Sequence, residues 1–221
     1  MTLTRVVGKG RTTDMDAEDL SALRASAGRM VVDVGTGDGR YPYELASAHP
    51  DWLVMGIDAL DEPMGEMAHK ASRKPAKGGR ANVVFVRAAV EALPVELHGI
   101  ADEVHVLLPW GRLLEDVVLA DEDVLRGLAA LARPGARVDV ILNGEIWEES
   151  TPARYEHLPV PTPEYVTEVV APGFARAGIE LGPARYLSAD EAKAVPTTWA
   201  RKLGHGRVHP RFVQFFGTKV V

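Results

Sequence analysis

The hydrophobic positions of this chain form short apolar runs that alternate with amphipathic stretches. The apolar runs predict seven core strands, at 30–34, 52–57, 82–87, 103–108, 136–142, about 179–187 and 211–216. Helical spacing of apolar residues appears between them, at 16–27, 40–48, 62–72, 115–132 and 162–176. Short strands that are apolar on both faces and separated by helices indicate an α/β fold. We predict a mostly parallel seven-stranded sheet with helices on both faces.

Three segments depart from this rhythm. Residues 1–28 contain RVVGKGRTT, where Gly8 and Gly10 permit a tight turn, so we expect an N-terminal hairpin followed by a helix. Residues 143–163 contain four prolines and no periodicity, which is typical of a functional or flexible linker. The last two strands follow a different spacing and are expected to form an antiparallel edge. All of these elements fit a single domain over residues 1–221.

The composition is that of an ordinary globular domain. Hydrophobic residues make up 46% of the chain and charged residues 25%, enough for a sizeable core under a solvated surface. The chain has no cysteine, so disulfides and thiolate zinc sites are excluded. MTLTRVVGKG lacks the apolar core of a signal peptide, and no apolar run approaches membrane-spanning length. We therefore expect a cytoplasmic protein with no membrane contact.

The charge is unevenly distributed along the chain, although the net charge of −6 alone argues against a nucleic-acid partner. Residues 101–123 contain seven acids and one basic residue, Arg112. By contrast, no acid occurs at 70–80 or from Ala192 to the end, where the basic residues are Lys70, Arg73, Lys74, Lys77, Arg80, Lys193, Arg201, Lys202, Arg207, Arg211 and Lys219. A local basic field can dock a polyanion whatever the total charge, with ordinary solvated surface as the alternative.

A glycine-rich loop joins the first core strand to the next helix in VVDVGTGDGRY. Its spacing, Asp33-x-Gly35-x-Gly37-x-Gly39, differs from the dinucleotide-binding G-x-G-x-x-G, whose third glycine would fall on Arg40. The glycines let the backbone approach a ligand closely. A carboxylate beside the loop repels a pyrophosphate and favours a cation, such as the sulfonium and α-ammonium groups of S-adenosylmethionine.

Two further strand ends offer contacts to such a cofactor. Asp58 follows the second core strand and can accept hydrogen bonds from ribose hydroxyls. The third core strand runs into RAAVEALP, where the backbone of Ala88 and Ala89 can pair with the edge of an adenine. Glu91 can accept from the exocyclic amine of that adenine, or it can be a plain acid at a helix start. A glycine loop alone can be a tight turn, but Asp58 in register with it favours a cofactor site.

LLPWGRLLE places Pro109 and Trp110 directly after the fourth core strand, where a buried run stops. Ligands of such sheets bind outside the carboxyl ends of the strands, so Trp110 belongs at the mouth of the site, where a second substrate would lie. Many adenine amino-methyltransferases carry an Asn/Asp-Pro-Pro-aromatic motif there, whose polar residue holds the exocyclic amine while the ring stacks on the base. This chain keeps the proline and the ring and lacks the polar residue.

A second tryptophan stands in PTTWARKLGHGR, where Trp199 is followed by Arg201, Lys202 and Arg207. Aromatic faces that stack on a base, with cations nearby for phosphates, are how single or flipped bases are captured. Either tryptophan alone is as easily an amphipathic core residue, which is how we interpret Trp52 at the start of its strand.

The glycine loop, the strand-end acid and RAAVEALP together resemble the class I, Rossmann-like S-adenosylmethionine-dependent methyltransferases over residues 29 to about 142. VDVGTGDGRYPYELA, RAAVEALP, LLPWGRLLE and TTWARKLGHGR resemble, more specifically, one family within them. These are the aminoglycoside-resistance 16S rRNA methyltransferases, of the kanamycin–apramycin resistance type, which modify N1 of adenine 1408 in the numbering of the RNA. The resemblance covers nearly the whole chain, including the hairpin and the long linker.

This resemblance implies a role for each motif. Trp110 and Trp199, with Pro109, would clamp a flipped adenine, while Leu107 and Thr197 would shape the pocket beside the cofactor. The cofactor would be S-adenosylmethionine, with S-adenosylhomocysteine as its product. A monomer would act on the small ribosomal subunit near helix 44 of the 16S rRNA. The residues that would dock on the rRNA are Lys70, Arg73, Lys74, Arg201, Lys202, Arg207 and Arg211.

The implied chemistry agrees with the missing polar residue. Adenine N1 carries an in-plane lone pair and no proton, so its methylation needs no general base, and the enzyme has to flip, position and desolvate the base. The linker at 143–163 would close over the site, with Glu145 and Arg154 as candidate residues. His205 and His209 are spaced like metal ligands, but no third ligand is evident and no metal is expected.

Three alternatives stay open on the sequence. GTGDGRYPYELASAHPDWLVMGID also resembles the tRNA guanine-N7 methyltransferases, which would carry a basic PDPW-type motif where this chain has LLPWGRLLED. A small-molecule methyltransferase would leave both basic segments unexplained. A non-catalytic RNA-binding protein of the same fold would not need the intact set of cofactor-binding residues.

Overall fold

The computed structural model describes residues 2–147, 151–197 and 211–220. The strands in these ranges are β1 (Leu3–Gly8), β2 (Arg11–Met15), β3 (Arg29–Val34), β4 (Trp52–Asp58), β5 (Val83–Arg87), β6 (Ala101–Leu107), β7 (Ala132–Asn143), β8 (Ile179–Leu181), β9 (Arg185–Tyr186) and β10 (Phe212–Lys219). They form one sheet in the order β2-β1-β5-β4-β3-β6-β7-β10-β8, with β9 beside β10. The predicted strand at about 179–187 is thus two short strands.

Helices connect most of these strands. They are α1 (Ala17–Ala25), α2 (Arg40–Ala48), α3 (Gly65–Ala71), α4 (Arg112–Val118), α5 (Glu122–Leu131), α6 (Pro163–Tyr165), α7 (Ala171–Arg176) and α8 (Ala189–Ala194). The helix predicted at 162–176 is present as one continuous helical segment. Within it, a π-helical turn (Val166–Val170) joins α6 to α7. The single helix predicted at 115–132 is wrong, because Ala120 has a φ of 54° and Asp121 starts a new helix by accepting hydrogen bonds from the backbone N–H groups of Asp123 and Val124.

Five neighbouring strands, β5, β4, β3, β6 and β7, are parallel, which confirms the predicted sheet. The predicted antiparallel edge is confirmed, because the last two predicted strands pair antiparallel with each other at the β7 end of the sheet. Strand β10 lies inside the sheet, antiparallel to both β7 and β8, so the edge strand β8 points the same way as the parallel strands. Val213 and Phe215 of β10 are completely buried, as expected of a strand that has neighbours on both sides.

The N-terminal hairpin is present and extends the sheet. Strands β1 and β2 pair antiparallel, and β1 also pairs with β5. The hairpin buries Leu3, Val6 and Met15. Its turn packs against the start of α3, where a Cβ on Gly65 would lie 2.8 Å from the Cα of Lys9. The hairpin is therefore an integral edge of the domain.

Side-chain alternation on β3 divides the core between two faces of the sheet. Met30, Val32 and Val34 belong to the larger core, which is shared with α1, α4, α5 and α7. Val31 belongs to a smaller core under α2 and α3, and a third cluster lies under α8. Asp33 has the same parity as Val31, so its carboxylate lies on the face that holds the two smaller cores.

The glycines of the loop after β3 differ in what surrounds them, and this generates a prediction. Gly39 has a φ of 72°, and a Cβ there would lie 2.6 Å from Cε1 of Phe85. Gly37 has a φ of 55° with open space around it. Either change to alanine forces a left-handed residue, at about 1–2 kcal/mol, but Gly39→Ala should cost roughly 1–3 kcal/mol more because it overpacks the core. Urea denaturation of both variants measures this, and equal losses would contradict the packing role of Gly39.

Candidate active site

A cavity lies where the strand order reverses. The chain runs from β3 outward through β4 to β5 and then returns to β6 on the other side of β3, and ligands bind at such switch points. The cavity there has a volume of about 600 Å³, which is typical of a small-molecule site. Its walls include most of the predicted cofactor residues, namely Asp33, Gly35, Gly37, Asp58, Ala88, Ala89, Glu91, Leu107 and Thr197.

Two predicted site residues do not line this cavity. Gly39 precedes α2 and packs on Phe85, and Pro109 is buried outside the cavity lining. The structure adds wall residues that sequence reasoning missed, namely Thr36, Tyr41, Arg112, Leu113 and Asp116. The acid-rich run after LLPW was the available signal for Asp116, which pairs with Arg112 one helical turn away.

Asp58 organises the glycine loop. Its Oδ2 accepts the backbone N–H of Gly37 at 3.0 Å, and its Oδ1 accepts the N–H of Leu60 at 3.0 Å. The loop can meet this carboxylate because Gly35 and Gly37 have φ values of 71° and 55°. Each carboxylate oxygen keeps a second lone pair, so Asp58 can still accept hydrogen bonds from a ligand.

Asp33 is a buried carboxyl group at the end of β3. Only 4% of the residue is exposed. Burial raises the pKa of its carboxyl to about 7, and the nearby charge of Asp58 adds to the effect. The group therefore titrates near neutral pH, and a cation held beside it would favour its ionised form.

A row of buried and half-buried polar side chains, which sequence reasoning missed, crosses the sheet beside Asp33. His105 is the neighbour of Asp33 across the β3–β6 pair and of Asp139 across the β6–β7 pair. The hydroxyl of Tyr41 lies 2.6 Å from Nδ1 of His105, and Oε2 of Glu103 lies 3.1 Å from Nε2. Burial raises the pKa of Tyr41, so its hydroxyl stays neutral. One histidine within the apolar run EVHVLL was the only local sign of this row.

Two unusual backbone conformations place Trp110 on the cavity wall. Leu108 has a φ of 52°, although its N–H still donates to the carbonyl of Ile141 at 2.8 Å. Gly111 has φ 64° and ψ −140°, a region that is essentially restricted to glycine. Between them Trp110 leaves the core and is 46% exposed. Costly backbone conformations of this kind cluster at functional sites.

The predicted linker at 143–163 is packed against the domain where the structure describes it. Tyr155 and Leu158 are buried. The indole Nε1–H of Trp147 donates to the carbonyl of Leu158 at 3.2 Å. These contacts hold the described part of the linker in place beside the site.

The two linker residues singled out on the sequence do not line the cavity. Glu145 is buried, and its backbone N–H donates to Oδ1 of Asn143 at 3.0 Å. Arg154 donates from Nε to Oε1 of Glu115 on α4, at 2.9 Å. Arg154 therefore ties the linker to α4, whereas the printed contact of Glu145 is with the end of β7.

The basic segment 70–80 forms a compact loop after α3, closed by backbone hydrogen bonds between its two ends. The ammonium of Lys70 lies over the Tyr43 ring, 4.3 Å from its centroid, so its stem is tied to the core. The cations that project into solvent are Arg73, Lys74 and Lys77. This loop is the candidate RNA-binding surface that the structure describes.

The second tryptophan and most of the basic tail lie outside the described residues: Trp199, Arg201, Lys202, His205, Arg207 and His209. Arg211 is described and exposed, and its carbonyl accepts the N–H of Gly144 at 2.8 Å. The described ranges contain no cluster of three or more His, Asp or Glu side chains that could hold a metal ion. In the same ranges no helix has the length and apolar character needed to cross a membrane.

The inserted antiparallel strand, the glycine loop after β3 and the acids at the ends of β3 and β4 define a class I methyltransferase. Residues 4–215 match the family model described as NpmA: 16S rRNA (adenine(1408)-N(1))-methyltransferase. The chain belongs to this family of rRNA methyltransferases, which confirms the resemblance read from its motifs.

Relatives and solved structures agree with this assignment. A 16S rRNA (adenine(1408)-N(1))-methyltransferase from Streptoalloteichus hindustanus is 44% identical over 203 residues, 92% of this chain and 93% of that protein. The enzyme of the same name from Catenulisporales acidiphilia, a tryptophan-to-alanine mutant solved with cosubstrate SAM, is 41% identical with a TM-score of 0.90, over 99% of this chain and 97% of that one. The antibiotic-resistance methyltransferase Kmr is 34% identical with a TM-score of 0.81, over 100% and 99%.

The buried carboxyl of Asp33 predicts a pH-dependent stability. Its folded pKa of about 7 lies above the unfolded value of 3.8, so the folded state keeps a proton that the unfolded state releases as the pH rises. This group therefore destabilises the fold progressively from about pH 4 to pH 7, and fully above pH 7. Asp33→Asn should gain stability relative to the wild type across that window, measured by urea denaturation at several pH values. A stability difference that does not vary with pH would refute the assignment.

Proposed function

We propose that this methyltransferase transfers the methyl group of S-adenosylmethionine to N1 of adenine 1408 in 16S rRNA, and that the modified ribosome resists aminoglycosides. The observation that carries the proposal is Trp110, an exposed ring on the wall of a cavity that also presents Asp33 and Asp58. Family membership supports the target nucleotide, because the relatives are named for that reaction. The name of Kmr supports resistance as the consequence.

The residues of the cavity fit S-adenosylmethionine. Gly35 and Gly37 present backbone without a Cβ, and Asp58 keeps free acceptor capacity for ribose hydroxyls. Asp33 supplies a carboxylate for a cationic group, with Ala88 and Glu91 available for the adenine end. A dinucleotide would place a pyrophosphate against these acids, which makes it a poor fit.

The side chains contribute positioning rather than proton transfer. When bound, S-adenosylmethionine supplies an electrophilic methyl on its sulfonium, and S-adenosylhomocysteine is the product. Adenine N1 makes the new bond with its own lone pair, so no residue has to remove a proton. Trp110 would stack on the flipped base, and the apolar wall at Leu107 and Leu108 would exclude water from the reacting atoms.

The proposed partner is the small ribosomal subunit, near helix 44 of the 16S rRNA. Exposed Arg73 and Lys74 on the loop after α3 would contact phosphates together with Lys70 and Arg211. Three further basic residues proposed for the same role lie outside the described residues, namely Arg201, Lys202 and Arg207. We place the reaction in the cytoplasm, where ribosomal subunits are found, and propose that a monomer carries it out.

The test of this function is the identity of the methylated nucleotide. Purified small subunits would be incubated with the enzyme and labelled S-adenosylmethionine, and the modified base mapped by a reverse-transcriptase stop. We expect one stop, at adenine 1408, and none in subunits that carry guanine there. Label in tRNA or in a small molecule, or a stop at another nucleotide, would overturn the proposal. Calorimetric titration of the enzyme alone tests cofactor binding separately.

The exposed indole of Trp110 predicts a loss confined to the reaction. Trp110→Ala should fold, bind S-adenosylmethionine normally and still bind the subunit. Loss of base stacking, about 1–3 kcal/mol, should lower kcat/KM roughly five- to a hundredfold, and Trp110→Phe should recover part of this. Trp52→Phe is the control, because Trp52 stacks on His49 away from the cavity. Wild-type methylation by Trp110→Ala, or an unfolded protein, would count against the stacking role.

The exposed cations of the loop after α3 predict a salt-dependent weakening of docking. Changing Arg73 and Lys74 to alanine should weaken subunit binding and reduce the slope of log affinity against log salt by about 0.9 for each phosphate that the variant no longer neutralises. Arg126→Ala on α5 is the control, since Arg126 is an exposed cation that pairs with acids of its own helix. The measurement is the affinity for the subunit from low to physiological salt. An unchanged slope in the double variant would show that the loop does not contact RNA phosphates.

A further inference from the structure

One linker side chain, Tyr155, contacts both Trp110 and the glycine that follows it. Tyr155 is completely buried. Its hydroxyl oxygen accepts the backbone N–H of Gly111 at 2.7 Å. Its ring lies 5.1 Å from that of Trp110, with 88° between the two planes. A single residue of the linker therefore contacts the proposed stacking ring and the turn that presents it.

Neighbouring contacts hold Tyr155 in this position. The guanidinium of Arg154 lies over the Tyr155 ring at 5.2 Å, and Nε of Arg154 donates to Oε1 of Glu115 at 2.9 Å. The ring of Trp147, at the start of the linker, lies 6.4 Å from that of Tyr155 between ring centroids. Glu115 belongs to α4, which begins directly after Gly111. The linker thus contacts both the turn at Gly111 and the first part of α4.

The hydrogen bond between Tyr155 and Gly111 satisfies two groups at once. The first N–H groups of a helix have no partner within the helix, and a buried phenol without a hydrogen bond is costly. Burial raises the pKa of Tyr155, so it remains a neutral phenol. Because the aromatic pair is perpendicular, at least one face of Trp110 stays uncovered by Tyr155.

We propose that Tyr155 is a positioning residue for methylation, which holds the Trp110 ring in its stacking orientation before the RNA arrives. The proposal rests on the proposed function. An oriented ring loses less freedom when a base stacks on it, so the effect belongs to the reaction step. Binding of the cofactor and docking of the subunit use other residues and are expected to be unaffected.

The first test compares two tyrosine-to-phenylalanine variants. Tyr155→Phe removes the hydroxyl that accepts from Gly111 and keeps the ring. Tyr165→Phe is the matched control, because its hydroxyl donates to the carbonyl of Val118 on α4, at 3.0 Å, without a contact to Trp110. Tyr155→Phe should lower kcat about three- to tenfold, the value of one hydrogen bond, with unchanged cofactor and subunit affinity. Tyr165→Phe should keep the wild-type kcat.

A double-mutant cycle separates positioning from general destabilisation. If Tyr155 acts through Trp110, Tyr155→Phe should have no further effect on kcat in the Trp110→Ala background. The ¹⁹F spectrum of protein labelled with 5-fluorotryptophan gives a second readout, in which the Trp110 resonance should shift or broaden in Tyr155→Phe and not in Tyr165→Phe. Additive losses in the cycle, an unchanged kcat, or equal losses in both phenylalanine variants would overturn the proposal.

Failure of this inference is distinguishable from failure of the proposed function. If the wild type methylates a nucleotide other than adenine 1408, the proposed function fails, and the same cycle run on that nucleotide still tests Tyr155. If adenine 1408 is methylated but Tyr155→Phe behaves like Tyr165→Phe in rate and ¹⁹F spectrum, the positioning role alone is refuted.

Discussion

The pairing of β3 with β6 is the constraint on which the site depends. The chain leaves these two parallel strands in opposite directions across the sheet, so a gap opens between their carboxyl ends. The backbone turns away sharply after each strand, through left-handed glycines after β3 and through left-handed Leu108 after β6. These turns keep the gap open as a cavity and place Asp33 and Trp110 on its wall.

The same pairing places polar groups inside the protein at a cost to stability. Asp33 and His105 are cross-strand neighbours on a face whose other members form two separate apolar clusters. Burial of a carboxyl group is unfavourable unless a partner favours its charged form, and a cationic cofactor would be such a partner. The polar pair between the two apolar clusters therefore lowers the stability of the fold, and its carboxyl group, Asp33, lies on the wall of the candidate binding site.

Positioning is the common theme of the other half of the site. A base whose reacting nitrogen carries a lone pair needs no acid or base from the enzyme, so the rate depends on how well the base is held. Two features of the structure hold the stacking ring. The left-handed backbone at Leu108 and Gly111 sets its position, and Tyr155, 44 residues further along the chain, hydrogen-bonds to Gly111. Tyr155 thus supports a turn of the site wall from outside the cavity, and the predicted closure of the linker over the site stays a prediction.

The sequence by itself determined the α/β class, the glycine loop, the strand-end acids and the exposed position of Trp110, because each rests on local periodicity or on a short motif. Only the tertiary structure decided which strands are neighbours and which distant side chains meet. Burial patterns show that a strand such as β10 is covered, but they do not say that it lies between β7 and β8. Nor does any local pattern indicate that Gly39 must leave room for Phe85, that His105 lies beside Asp33, or that Tyr155 packs on Trp110. Those contacts join residues far apart in the chain, and their geometry exists only once the sheet has brought the strands together.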